Sequence, residues 1–248
     1  MDRIVIITGG GRGIGAATAR LAAKAEYRVC IAYRERRDSA DEVVAQIERD
    51  GGEAIAVQAD VGREADVLRL FDEVDRRFGE LTALVNNAGI LERQMRVDAM
   101  DAERLARVFN ANVVGSFLCA REAVRRMSTR YGGHGGAIVN VSSVASRLGS
   151  PNEYVDYAAS KAAVDTFTLG LAREVASEGI RVNAVRPGSI HTEIHASGGE
   201  PDRVERVKAR IPMQRGGEAD EIARAIVWLL SDEASYMTGS LVDVSGGL

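Results

Sequence analysis

The chain is poor in cysteine, with only Cys30 and Cys119 among 248 residues. Both lie in apolar surroundings, which points to buried free thiols and against a disulfide framework or a catalytic cysteine. No apolar run approaches the roughly 20 residues that a membrane-spanning helix needs. Met1-Asp2-Arg3 leads directly into a strand-like run, without the layout of a signal peptide. The expectation is therefore a cytoplasmic protein with no membrane partner. Charge of one sign is not in excess either: 32 Lys and Arg face 36 Asp and Glu, a formal net charge of -4. That balance gives no basis for a nucleic-acid partner. Proline-rich linkers, repeats and low-complexity tracts are missing, so one domain over 1–248 is expected. The densest glycine run, Gly132-Gly-His-Gly-Gly136, reads as a turn, with His134 exposed in it.

What is present is an alternation of short apolar runs and longer amphipathic ones. Strands are expected at Arg3–Thr8, Arg28–Tyr33, Ala54–Gln58, Leu81–Asn86, Ala137–Ser142, Ile180–Val185 and around Leu241–Val244. Helices are expected at Ile14–Ala25, Ser39–Arg49, about Asp101–Arg130, Tyr157–Ser177 and Ala219–Leu230. Another follows the third strand, where Val67, Phe71, Val74 and Phe78 fall on one helical face. Strand and helix in turn imply parallel strands joined by right-handed crossovers. Continuous apolar strands fit a sheet covered on both faces. The fold class is α/β, a single-domain doubly wound parallel seven-stranded sheet of Rossmann-like type with helices on both faces.

Thr8-Gly-Gly-Gly-Arg-Gly-Ile-Gly15 follows the first strand and opens the first helix. Glycines there allow a tight turn and close approach of backbone to a pyrophosphate, and the helix start supplies free N–H groups. Gly9, Arg12, Gly13, Ile14 and Gly15 are the candidate cradle for a dinucleotide. At the tip of the second strand, where an NAD site usually carries a carboxylate, Tyr33 is followed by Arg34. A guanidinium suits the 2′-phosphate of NADP. Arg12 could add a second positive charge, whereas Glu35 could turn in and take the ribose of NAD. NADP is the expected cofactor, with NAD possible.

Tyr157-Ala-Ala-Ser-Lys161 places a phenol and an ammonium on one helical face. A cation close to a phenol favours the phenolate. Lowering the phenol by roughly three units takes about 4 kcal/mol. Such a tyrosine can act as general acid and base in interconverting an alcohol and a carbonyl.

With these motifs in order, the chain resembles the short-chain dehydrogenase/reductase family over about Arg3 to Gly247, with a likeness to glucose dehydrogenase-like and oxoacyl reductase-like members. The family pattern TGxxxGxG matches Thr8, Gly9, Gly13 and Gly15, and NNAG matches Asn86-Asn87-Ala88-Gly89. The helix-borne asparagine matches Asn112, the serine after the fifth strand Ser143, and YxxxK Tyr157 and Lys161. A PG motif appears at Pro187-Gly188, followed by Ile190 and Thr192. The resemblance implies that Asn112, Ser143, Tyr157 and Lys161 form the catalytic set, with Asn112 positioning a water that relays protons to Lys161. It implies that Asp60 and Val61 border the adenine and that Asn87, Ala88 and Gly89 run along the cofactor. It places Pro187, Gly188, Ile190 and Thr192 at the nicotinamide end, where Tyr157 and Lys161 also meet the cofactor. From the residues alone, Asp60 could equally cap the turn that follows it.

Ser143 lies one residue further ahead of Tyr157 than is usual in the family, so Ser142 and Ser146 remain alternatives. Tyr154 lacks a lysine four residues on. The resemblance also implies a homotetramer and a substrate lid at about 191–210, hinged at Gly198-Gly199. The basic tract from Arg203 to Arg210 reads as a solvated helix face. His191, Glu193 and His195 fit no tight ligand spacing, so no metal is expected. The expected activity is NADP(H)-dependent hydride transfer between a carbonyl and an alcohol on a small molecule of unspecified identity. The alternatives are an NAD-preferring sugar or polyol dehydrogenase, and a non-catalytic dinucleotide-binding sensor. The intact catalytic set argues against the sensor.

Overall fold

The computed structural model describes residues 2–248. Its first half runs β1 (Arg3–Thr8), α1 (Gly13–Lys24), β2 (Tyr27–Tyr33), α2 (Arg37–Arg49), β3 (Ala54–Gln58), α3 (Glu64–Arg77) and β4 (Ala83–Asn86). There follow α4 (Ala102–Phe109), α5 (Gly115–Met127), β5 (Gly136–Val141), α6 (Ala145–Leu148), α7 (Val155–Val175) and β6 (Ile180–Pro187). The chain closes with β7 (Ile190–His191), α8 (Ile194–Ser197), α9 (Arg203–Val207), β8 (Gly217–Glu218), α10 (Ala219–Leu230) and β9 (Leu241–Val244).

Seven strands form one parallel sheet in the order β3-β2-β1-β4-β5-β6-β9, and β7 pairs with β8 in a separate ribbon. Strand order reverses between β1 and β4, so the loops leaving their carboxyl ends diverge and open a crevice there. Alternate residues of each strand feed two cores. Val5, Ile7, Val29 and Ile31 pack with helices α1, α2 and α10. Ile4, Ile6, Cys30 and Ala32 face the opposite layer, with Val67, Leu70, Phe71 and Val74 of α3. Period-two alternation with both faces apolar is what a sheet between two helical layers requires. Cys30 and Cys119 are free and buried in the second core. Burial pushes both thiols up, Cys119 to about 12.

The long helix expected over 101–130 is a single rod with a fault in it. Between α4 and α5, Asn110–Val114 form a turn of π-helix. The backbone remains helical through this stretch, so the rod continues, but the wider turn aims Asn112 inward, where it is fully buried. β4 starts two residues later than its apolar run suggests. Just ahead of it, Thr82 adds side-chain bonds to the β1 backbone: its Oγ1 accepts from Ile4 N at 2.9 Å and donates to Ile4 O at 3.0 Å. Among the described residues, no helix is long and apolar enough to cross a membrane.

Candidate active site

The crevice above β1 and β4 is lined by two continuous hollows that meet at Gly89. The first is bounded by the glycine loop and the tip of β2. Gly9 has φ +64°, and a β-carbon there would lie 3.0 Å from Ala88 Cα. At Gly15 a β-carbon would lie 2.4 Å from Gly9 O and 2.6 Å from Asn87 Nδ2. A side chain fits at neither position. Thr8 and Asn87 tie this loop to the NNAG segment. Thr8 Oγ1 accepts from Asn87 N and Ala88 N, both at 3.0 Å, and Asn87 Nδ2 donates to Thr8 O and Gly9 O. Arg12 precedes α1 in an extended conformation without a side-chain cap, and the first turn of α1 carries no acidic residue. The donors at this helix start are thus left for an anion. These features fit a dinucleotide pyrophosphate.

Gly9, Arg12, Arg34, Asp60, Val61, Ala88 and Gly89 all line this first hollow. Arg36, which the sequence reading did not single out, lines it too. The signal was there in Tyr33-Arg-Glu-Arg-Arg37, a cationic run directly after a strand. Glu35 lines the hollow as well, and its carboxylate is paired with the half-exposed Arg34 guanidinium at 2.7 Å. Asp60 Oδ1 accepts from Gly62 N at 3.0 Å. Its carboxylate therefore caps its own turn while bordering the hollow.

The second hollow contains Ile14, Asn87, Ser143, Tyr157, Lys161, Pro187, Gly188, Ile190 and Thr192. Gly13, at φ +50°, sits against Thr192, whose Cγ2 lies 3.1 Å from where a β-carbon would be. Helix α7 presents Tyr157 and Lys161 on one face, with Lys161 Nζ 5.6 Å from the Tyr157 ring centroid. Burial is the dominant influence and pushes Tyr157 up to about 12, partly offset by its contact with the Ser143 hydroxyl. The same burial brings Lys161 down to about 8, against the opposing charge of Asp165. The ammonium is directed at β5, where Nζ donates to Val141 O at 2.7 Å.

The three serines take different places. Ser142 Oγ donates to Lys161 O at 3.1 Å and anchors α7. Ser146 Oγ donates to Ser143 O at 2.8 Å and lies outside the hollow. Ser143 lines the hollow with Tyr157, close enough to ease the burial of the phenol, and its Oγ accepts from Ala145 N at 3.1 Å. Asn112 does not line either hollow. Its Oδ1 accepts from Ile90 N at 2.7 Å, and its Nδ2 donates to Ile90 O at 3.1 Å and Ser160 Oγ at 3.0 Å. Its side chain ties the residue that follows the NNAG loop to α7.

The segment 191–210 covers the second hollow and departs from expectation twice. Arg203 is not on a solvated face: its guanidinium holds Glu153 at 2.6 Å and Glu200 at 3.4 Å and lies 5.0 Å above the Tyr154 ring. Gly198 is not a free hinge either, being buried, with its missing side chain replaced by Leu91 and the Tyr154 hydroxyl at 3.0 and 3.1 Å. His195 Nε2 is engaged with Ile190 O at 3.0 Å. Among the described residues, no three His, Cys, Asp or Glu side chains are grouped to hold a metal ion.

Comparison with known proteins agrees with this arrangement. A family model described as enoyl-(acyl carrier protein) reductase matches residues 9–248. An uncharacterized oxidoreductase, YgfF of Escherichia coli, is 60% identical over 98% of this chain and 99% of its own length. Glucose 1-dehydrogenase 2 of Bacillus subtilis is 36% identical over 99% of this chain and 94% of its own. A short-chain dehydrogenase of Burkholderia cenocepacia, solved in complex with NADP, superposes with a TM-score of 0.90 at 33% identity. That match covers all of this chain and 98% of the other. The chain belongs to the short-chain dehydrogenase/reductase family. Its chemistry is accordingly that of an oxidoreductase that moves hydride between a dinucleotide and a CH–OH/carbonyl pair.

Proposed function

We propose that this protein is an NADP(H)-dependent oxidoreductase interconverting a carbonyl and an alcohol on a small molecule, with Tyr157 as general acid and base. The observation that carries this reading is the meeting of Tyr157 and Ser143 in one hollow that is continuous with the glycine cradle. The nicotinamide, when bound, supplies or takes the hydride. Gly9, Gly13, Gly15 and Ile14 hold the pyrophosphate end, and Pro187, Gly188, Ile190 and Thr192 the nicotinamide end. Asp60, Val61, Asn87, Ala88 and Gly89 border the remainder.

Burial keeps Tyr157 protonated across the neutral range, which is the state a proton donor to a carbonyl oxygen needs. Ser143 hydrogen-bonds that oxygen, a bond that strengthens as charge grows on it. Lys161 carries positive charge below about pH 8 and offsets the phenolate that proton donation leaves behind. Asn112 acts by fixing Ile90 and Ser160 on either side of the site. The segment 191–210 serves as the substrate lid, latched through Arg203.

NADP is favoured by Arg12, Arg34 and Arg36 around one hollow. The Arg34–Glu35 pair favours the rival reading, an NAD-preferring sugar or polyol dehydrogenase, because it draws charge away from a 2′-phosphate. Michaelis constants for both cofactors separate the two. The expectation is a lower constant for NADPH, raised about tenfold in Arg34→Ala, the loss of one charge-assisted phosphate contact. A preference for NADH untouched by Arg34→Ala contradicts it. Cofactor binding without turnover across ketones, aldehydes, quinones and sugars points to the non-catalytic sensor.

A homotetramer goes with this reading. On the outer face of α5 and α7, Phe117 is 48% exposed and stacks on Phe167 at 3.9 Å between centroids. Beside them, Gly170 leaves open space where a side chain would stand. A cytoplasmic setting also fits, both thiols being free.

A further inference from the structure

Asp156 stands immediately before Tyr157. Arg104 lies on α4, the helix that runs into the wide turn carrying Asn112. Fifty-two residues apart, the two form a bidentate pair. Arg104 Nε donates to Asp156 Oδ2 at 2.7 Å and Nη2 to Oδ1 at 3.3 Å, while Nη1 donates to Arg93 O at 2.6 Å. Their side chains are only 4% and 1% exposed. The start of α4 is itself fixed, since Asp101 Oδ1 accepts from Arg104 N at 2.7 Å.

A charge pair taken out of water confers little stability over apolar side chains of similar size, because desolvation offsets the attraction. What a guanidinium–carboxylate fork does confer is fixed distance and direction. The fork acts on the second residue of α7, and the start of that helix has no side-chain cap of its own. Neighbouring helical residues lie roughly 100° apart around the axis. A carboxylate held toward α4 therefore sets the rotation that turns the next residue, Tyr157, into the hollow. We propose that the Arg104–Asp156 clamp is a positioning device for the reaction, locking the first turn of α7 so that Tyr157 is registered against Ser143 and against the Asn112-bearing turn. The proposal rests on Tyr157 being the proton donor. A displacement of about 1 Å in such a group can cost about 100-fold in rate.

The test is Arg104→Met/Asp156→Leu, which exchanges the buried pair for an apolar one and leaves no uncompensated charge. The expected protein melts within a few degrees of the parent. Its kcat falls at least about tenfold, while its KM for cofactor stays within about threefold. The carbon-13 resonance of Tyr157 Cζ, assigned by its loss in Tyr157→Phe, is expected to move. That resonance needs no activity, so it judges the clamp even if the parent turns nothing over, an outcome that overturns the catalytic reading alone. A folded double variant with an unmoved resonance or with kcat within twofold of the parent overturns the clamp. Should the double variant not fold, Arg104→Lys keeps the charge and loses the fork. A severalfold lower kcat at unchanged cofactor KM is then expected, and parental kcat in Arg104→Lys overturns the proposal.

Discussion

At the residue scale the site is governed by burial. Desolvation penalises whichever form is charged, so it raises a phenol and lowers an ammonium. In this protein it takes Tyr157 up to about 12 and Lys161 down to about 8. The sign for activity follows. Below about pH 8 Lys161 is charged and can stabilise a phenolate developing at Tyr157. Above it that charge is lost while Tyr157 still holds its proton. Reductive kcat/KM is therefore expected to fall as pH rises through about 8. Asp165, buried one helical turn from Lys161 and paired with Arg186 at 2.9 Å, raises the lysine. Asp165→Asn is expected to move the falling limb to lower pH, and a pH–rate profile checks both statements. Stability carries the opposite mark of the same shift. Between pH 8 and 10.5 the unfolded chain binds more protons at Lys161 than the folded one, so stability rises with pH through this window. The full change is worth about 3 kcal/mol. Denaturant melts of the parent against Lys161→Met, at pH 7.5 and 10, are expected to show the parent gaining relative to the variant at the higher pH.

At the scale of elements, the turn at Asn110–Val114 does the positioning. Asn112 makes three hydrogen bonds from a fully buried position, two to the Ile90 backbone and one to Ser160. Asn112→Ala leaves those groups unpaired away from water and is expected to cost about 3 kcal/mol, read as a lower denaturation midpoint. This turn was not legible in the sequence. One extra residue in a helical turn shifts the apolar periodicity by only one position, and the residues flanking it continue the rod. The glycine loop was legible for the converse reason. Its chemistry is local, and a β-carbon at Gly15 collides with backbone five and six residues away in the same motif. Element ends moved by a few residues, as at β4, which begins at Ala83 and not at Leu81. Arg104 and Asp156, fifty-two residues apart, carry no local signal in the sequence, and only the fold buries them together.

At the scale of the whole molecule, the order of strands does what no single motif can. Reversal between β1 and β4 brings a loop near residue 10, a strand end near 87 and a helix near 157 to one crevice. The alternation of apolar strands and helices made this architecture readable, because a sheet covered on both faces needs continuous apolar strands. The segment 191–210 was less readable. Arg203 joins Glu153 across fifty residues, and its neighbours in sequence resemble any solvated helix. Assembly belongs to this scale too: if the proposed tetramer forms through this face, Phe117→Asp is expected to shift it toward smaller species in sedimentation, since a charge on a stacked apolar face opposes its burial. The central claim, that a buried phenol passes the proton to the substrate oxygen, is tested most directly by Tyr157→Phe, with turnover and cofactor affinity measured on the same preparation. The account predicts turnover reduced at least about a thousandfold with cofactor bound as tightly as by the parent. Turnover near the parental rate, with cofactor bound, would contradict it.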